Sequence, residues 1–307
     1  MMKPEGRIPK KPLFIINPDS GIMPINFILS LGLDLYKEGL TIIKSLSKAN
    51  TEETITKTFD EHDVFIAAGG DGTVHSVASQ LVDTDKIIGV LPLGSGNGFA
   101  KEFGFNINVP SLMSAIRKAE VMPIDVIEVN GHLCLNVAGI GLDSFVAHSF
   151  NDLKLRGLFP YIWLTLKTFI QLKPFPVTIW CDNEKIVSKD IFVITIANTR
   201  QFGNNAFIAP DAKPNDGIID LVLIDPFPKI FGPRFVIRLF TKRINKSKFV
   251  THIKTGKDIV IETLETRMHI DGEPIKTDGR VEVKIKREAL NVLKTSRNKF
   301  SERNYSN

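Results

Sequence analysis

The chain has 307 residues, more than one hydrophobic core usually serves and about right for two domains. Hydrophobic residues make up 43%, which excludes a disordered chain. Lys and Arg number 39 against 34 Asp and Glu, and that net charge of +5 argues against a dedicated nucleic-acid binder. It suits partners that are phosphates or an anionic membrane surface. The two cysteines, Cys134 and Cys181, exclude a disulfide framework and a four-cysteine zinc site, and point to a reducing compartment.

The N-terminal stretch up to Pro18 has basic residues but no apolar run of signal-peptide length, so no secretory signal is expected. The longest apolar stretch, Leu158–Leu172, is interrupted by Pro160, Lys167 and Gln171 and falls short of a membrane span. The expectation is a cytoplasmic protein that meets a membrane, if at all, peripherally at its inner face.

In chain order, Pro12–Asn17 reads as a buried strand ending in the turn cluster Pro18, Asp19, Ser20 and Gly21. A helix over 25–37 follows, then a strand over Leu40–Leu46 and a short helix over 51–60 capped by Asn50 or Thr51. Asp63–Gly70 is a buried strand running into glycine, Thr73–Leu81 a helix, and Ile87–Leu93 a strand. Asn97–Phe103 opens another helix, and Ser111–Lys118 is a further one. Such alternation predicts a parallel sheet with helices on both faces, and ligands bind such sheets at the carboxyl ends of their strands.

After Met122 strand-like segments recur with short turns, and Asn130–Gly131 and Asp182–Asn183 are hairpin turns by their chemistry. This half reads as a β-sandwich-like domain interrupted by helices over about 150–172 and 228–243. The domains expected are 11–123, an α/β domain, and 124–295, a β-rich domain whose last segment could return to the first. No internal repeat or low-complexity tract is evident.

Four clusters carry chemistry. Gly69-Gly70-Asp71-Gly72-Thr73 links a strand to a helix. Glycines let backbone amides approach phosphate oxygens, and a helix N-terminus adds partial positive charge. Gly94-Ser95-Gly96-Asn97 links the next strand to the next helix and adds hydroxyl and amide groups. A plain tight turn is the alternative for the first, but an acidic residue between glycines is an odd choice for one. No P-loop, complete dinucleotide fingerprint, nucleophile elbow or zinc-protease motif is present. The third cluster, Pro210–Ile218, reads from composition as a loop before a strand. The fourth, His269–Pro274, offers Asp271 and Glu273, which on one strand would project to the same side and could supply a general base. A hairpin turn with solvated charges is its alternative, and His269 reads as a strand-face residue.

GGDGT followed by PLGSGN and preceded by NPDSG (Asn17–Gly21) resembles the diacylglycerol kinase catalytic-domain family, which includes soluble bacterial lipid kinases, sphingosine kinases and ceramide kinases. GGDGT alone is shared with NAD kinases; the added GSGN is more specific. The resemblance runs from Asn17 to Pro274. It implies a nucleotide-binding α/β domain, a β-sandwich domain and an active site in the cleft between them. It places Asn17, Asp19, Ser20, Gly21, Gly69–Thr73 and Gly94–Asn97 near ATP, with Ser45 or Ser47 as a further hydroxyl. It implies Mg²⁺ at Asp216 with backbone oxygens of Lys213 and Ile218, Asp220 being the alternative ligand. It makes Glu273 the proton acceptor, with Asp271 as rival.

The implied activity is ATP- and Mg²⁺-dependent phosphorylation of a lipid hydroxyl, most directly diacylglycerol to phosphatidic acid. Bacterial members often carry Asp after GSGN, where this chain has Gly98, so sphingoid base, ceramide and other lipids stay open. NAD kinase and a non-catalytic nucleotide- or lipid-binding module are the other readings, and a homodimer is a family habit. Finally, Lys229–Lys248 carries seven bases and no acid, with Arg234, Arg238 and Lys242 at four-residue spacing. It reads either as a basic amphipathic helix for an anionic membrane surface or as a core-packed helix with a solvated face. Leu158–Leu172 could line an acyl pocket or form core.

Overall fold

The computed structural model describes residues 12–18, 33, 35–36, 40–45, 47–141, 173–203, 205–298 and 300. Asp19, Ser20, Gly21 and the whole Leu158–Leu172 stretch lie outside them, as does most of the helix expected over 25–37, of which Leu33, Leu35 and Tyr36 are helical. The chain forms two compact units. One runs to Ile124 and resumes at Ala289; the other is Asp125–Glu288.

The first unit is built on β1 (Leu13–Ile16), β2 (Thr41–Lys44), β3 (Val64–Gly69) and β4 (Ile87–Pro92), hydrogen-bonded in the order β2-β1-β3-β4 and all parallel. β1 and β3 are buried along their whole length. Strands covered on both faces need continuous apolar runs, which is why LFII and VFIAA do not alternate. Asn17 N donates to Ala68 O at 3.0 Å and Leu93 N to Gly69 O at 2.9 Å, so the carboxyl ends of β1, β3 and β4 finish level.

Three helices here start earlier than the apolar pattern suggests, while the one expected over Asn97–Phe103 spans Gly98–Glu102. The helix Lys48–Thr58 is capped by Ser47, whose side chain accepts from Asn50 N. Neither Asn50 nor Thr51 is the cap: Thr51 is buried inside the helix and its hydroxyl meets that of Ser45. The helix expected from Thr73 begins at Asp71 and ends at Ala78. The helix Val109–Lys118 begins before Ser111, because a proline is tolerated in the first turn, where its missing N–H has no partner to lose.

The second unit holds β5 (Val121–Val129, from Asp125 onward), β6 (His132–Cys134), β7 (Val137–Gly141), β8 (Phe175–Cys181), β9 (Glu184–Ile191), β10 (Val193–Ala197), β11 (Ile219–Ile224), β12 (Val250–Thr255), β13 (Ile259–Thr263), β14 (Arg267–Ile270), β15 (Glu273–Lys276) and the start of β16 (Arg280–Leu293). One sheet runs β12-β11-β10-β7-β14-β15; β16-β13-β8-β9 forms the other, with β5 on β16 and β6. Period-2 patterning sorts the side chains. Ile194, Ile196, Leu221 and Leu223 enter one core with Ile179, Ile261 and Val283 of the other sheet, the interior of a β-sandwich. Val193, Val222 and Ile224 point the other way into a second cluster with Phe227, against which Phe235 and Leu239 pack.

Asn130–Gly131 and Asp182–Asn183 are the expected tight turns, with all four residues at positive φ. The helix expected over 228–243 is shorter, Gly232–Phe240, flanked by single 3₁₀ turns at Lys229–Phe231 and Ile244–Lys246. Among the described residues no helix is long and apolar enough to cross a membrane.

Candidate active site

The two glycine loops of the first unit touch. A Cβ on Gly94 would lie 2.5 Å from Gly70 Cα, so the backbones are packed with no room for a side chain. A Cβ on Gly69 would fall 2.3 Å from Thr73 Oγ1, so the threonine hydroxyl lies against the strand end. Asn17 Nδ2 donates to that hydroxyl at 3.3 Å, which brings the end of β1 to the same place. Asn97 is left-handed, with φ 51°. Its side chain closes the second loop on itself: Oδ1 accepts from Gly94 N at 3.0 Å and Nδ2 donates to Gly94 O at 2.6 Å. Asp71 Oδ1 accepts from Phe99 N at 3.2 Å and so ties the first loop to the helix after the second.

Asn17, Gly69–Thr73 and Gly94–Asn97 therefore form one locality. Asn97 and Asp71 shape it. The helix Asp71–Ala78 starts at Gly70 with no capping side chain. Its first-turn amides and dipole suit an anion. Lys101 sits beside Asp71; burial lowers its ammonium pKa and the carboxylate opposes that shift. Of the two hydroxyl candidates, Ser45 is buried on Thr51 and Ser47 is the helix cap, so both serve the fold here.

Alanine at Gly94 tests how much the locality depends on that close approach. The new Cβ must push two backbones apart. Overpacking of this kind costs about 1–3 kcal/mol. Gly94→Ala is expected to lower the thermal midpoint of the first unit and to weaken nucleotide binding at least about tenfold, read by calorimetry and equilibrium titration. Unchanged affinity would remove the loop from the site.

In the second unit the IDGE segment is a two-residue hairpin. Ile270 pairs with Glu273, and Asp271 and Gly272 between them have φ 52° and 88°. The expectation that Asp271 and Glu273 project to the same side of one strand is thus corrected: they stand on a turn and on the strand after it. The Asp271 carboxylate turns back onto the β6–β7 connection. Oδ1 accepts from Asn136 N at 2.8 Å and Val137 N at 3.2 Å, and Oδ2 from Leu135 N at 2.9 Å. The Cys134 thiol also reaches Oδ1, at 3.7 Å; burial pushes its pKa well above the ordinary thiol value and the adjacent carboxylate adds to the rise. Asp271 is committed to the backbone. Glu273, exposed at the first position of β15, keeps its carboxylate for other work. His269 is buried on β14, as a strand-face residue should be, and its Nδ1 accepts from Gly272 N at 3.3 Å.

Asp216 stands on the loop before β11, with Oδ1 accepting from Ile218 N at 3.1 Å. Burial raises its carboxyl pKa, and the charges of Asp220 and Asp125 push the same way. Lys254 pairs with Asp220 Oδ1 at 3.0 Å, leaving Asp220 Oδ2 buried and without a hydrogen-bond partner. A cation would offset this crowding of carboxylates. No three His, Cys, Asp or Glu side chains converge on one point among the described residues. The available protein set is the Asp216 carboxylate with neighbouring backbone carbonyls, and Mg²⁺ is commonly held by one or two carboxylates with the rest of its shell filled by water. The residues fit that ion.

Asp125 does not stand out in the sequence. It is buried, and its carboxylate accepts from Gly217 N at 2.7 Å and Glu288 N at 2.8 Å. Its backbone is held in turn by Asn198 Nδ2 at 2.8 Å. The pair positions the Asp216 loop. A carboxylate within the apolar run PIDVIEV was the available signal.

A parallel α/β unit with paired glycine loops at its strand ends, joined to a β-sandwich, defines a class of nucleotide-dependent phosphotransferase folds. Residues 11–129 match the diacylglycerol kinase catalytic domain, and residues 136–294 match the YegS C-terminal NAD kinase beta sandwich-like domain. The chain belongs to the diacylglycerol kinase catalytic-domain family, lipid kinases that transfer phosphoryl groups to an alcohol. The diacylglycerol kinase of Bacillus subtilis is 31% identical over 222 residues, 69% of this chain and 72% of that protein. A crystal structure of a diacylglycerol kinase from Bacillus anthracis matches with TM-score 0.71 at 21% identity, over 95% of this chain and 99% of that one. An NAD kinase from Archaeoglobus fulgidus in complex with ATP matches with TM-score 0.55 at 12% identity, over 94% and 95%. At such identities these two likenesses concern the fold alone.

Proposed function

We propose that this chain uses ATP and Mg²⁺ to phosphorylate a lipid hydroxyl, with diacylglycerol the leading acceptor and phosphatidic acid the product. The contact of the two glycine loops beside an uncapped helix N-terminus carries this reading, because it presents backbone donors where a polyphosphate needs them. In the reaction the lipid oxygen attacks the γ-phosphorus, the bond to the β-phosphate oxygen breaks, and ADP leaves with that electron pair. Glu273 takes the proton of the attacking hydroxyl. Loop amides bind the phosphates and stabilise charge spread over the transferring group. Mg²⁺ held by Asp216 with the carbonyls of Lys213 and Ile218 would supply positive charge that steadies its loop.

The test is incubation of the purified chain with labelled ATP, Mg²⁺ and neutral detergent micelles offering diacylglycerol, monoacylglycerol, ceramide and sphingosine in parallel, with NAD in a separate tube. Labelled phosphatidic acid is the expected product, lost when the metal is chelated. Label in a sphingoid lipid would move the acceptor, as Gly98 leaves open. Label in NADP alone, or in nothing, would overturn the reading.

A further inference from the structure

Helix Gly232–Phe240 has two unlike sides. Phe235 and Leu239 pack into the cluster around Val193 and Phe227, which meets the expectation of a core-packed helix halfway. The other side is not an ordinary solvated face. Ile230 is 82% exposed, Ile237 62% and Phe231 41%. Ile230 stands in the 3₁₀ turn that leads into the helix and Ile237 within the helix, with Arg234 between them in sequence. Arg234, Arg238, Arg243 and Lys246 have no carboxylate partner among the described residues, and Lys229–Lys248 contains no acid at all. Beside them opens a cavity of about 350 Å³ whose walls include Phe227, Phe231 and Phe249 and whose bases include Arg234, Arg238 and Lys246. Exposed isoleucines surrounded by uncompensated bases suit an environment apolar inside and anionic at its surface.

We propose that this face docks the protein on an anionic phospholipid bilayer. Ile230, Phe231 and Ile237 enter the acyl boundary, and Arg234, Arg238 and Lys246 receive headgroup phosphates at the mouth of the aromatic cavity. Charge complementarity selects this occupant: a protein partner would need an acidic surface with apolar slots, whereas a bilayer offers both layers at the right depth. The inference deepens the lipid-kinase reading by naming the surface from which the acceptor is drawn, and it rests on that reading.

The test is co-sedimentation of the full chain, without ATP, with vesicles of phosphatidylcholine alone or mixed with phosphatidylglycerol. Wild type is expected to bind the mixed vesicles, to release with added salt and to ignore the neutral ones. Each base near such a surface contributes about a fivefold factor, so Arg234→Gln with Arg238→Gln is expected to lower partitioning roughly 25-fold. Ile230→Ser with Ile237→Ser, which changes no charge, is expected to lower it at least about tenfold. Lys185→Gln with Lys284→Gln, exposed bases outside the patch, should change it less than about twofold. Equal losses in this control pair, no binding by wild type, or full binding by both patch variants would overturn the proposal. Phosphorylation in neutral micelles, measured on the same preparations, separates the two readings: wild type inactive there contradicts the kinase, while an active wild type that ignores anionic vesicles contradicts only the docking face.

Discussion

Replacing Glu273 by Gln is expected to lower lipid phosphorylation by about 10²–10⁴-fold in kcat while leaving nucleotide affinity and thermal stability unchanged. The range is that of a positioned proton acceptor, equivalent to roughly 3–5 kcal/mol of barrier. Gln keeps the size and shape of the side chain and removes its basicity. Glu273 is exposed at the first position of β15, so its loss leaves no buried group unsatisfied, and surface changes of this kind alter stability within about 0.5 kcal/mol. The measurement is turnover in micelles beside ATP titration and a melting curve on one preparation. A variant with near-wild-type turnover would remove Glu273 from the mechanism. A variant that lost turnover only because it had melted would show the role to be structural. A binding module would respond to the substitution in neither assay.

The fold was legible wherever burial is periodic or complete. LFII and VFIAAG announced β1 and β3 because both faces of a central parallel strand are covered, and β11, buried at every position, is a nearly continuous apolar run because its two faces are covered as well. Helix starts were less legible, since they depend on which hydroxyl reaches a backbone amide; Ser47 won over Asn50 and Thr51 at a cost too small to leave a pattern. At the site, spacing alone marked the glycine loops, whereas the contact of Gly70 with Gly94 and the clamp made by Asn97 arise only when the fold brings neighbouring strand ends together. Asp271 is the least legible of the site residues. Two carboxylates flanking a glycine look alike in sequence, and a turn inverts their roles: one is aimed at three amides, the other at solvent.

That difference yields the largest expected loss of stability. Asp271→Ala leaves the buried amides of Leu135, Asn136 and Val137 without their acceptor. Hydrogen bonds to a charged group are worth about 1.5–3 kcal/mol each, though three on one carboxylate do not simply add. Alanine also tolerates the left-handed turn position less well than Asp, by about 1–2 kcal/mol. A destabilisation of roughly 4 kcal/mol is expected, a fall in the melting midpoint of about 10 °C. Asp271→Asn keeps one oxygen acceptor and the turn preference, so it should lose about half as much. Its amide must then face one backbone N–H that it cannot satisfy. Scanning calorimetry of the two variants reads the order directly. If both melted with wild type while phosphorylation fell 100-fold or more, Asp271 rather than Glu273 would be the proton acceptor. If Ala and Asn melted low in the expected order and micellar turnover of the folded fraction persisted, the turn would be the part that holds Glu273 in place, through Asp271 and the three amides it gathers.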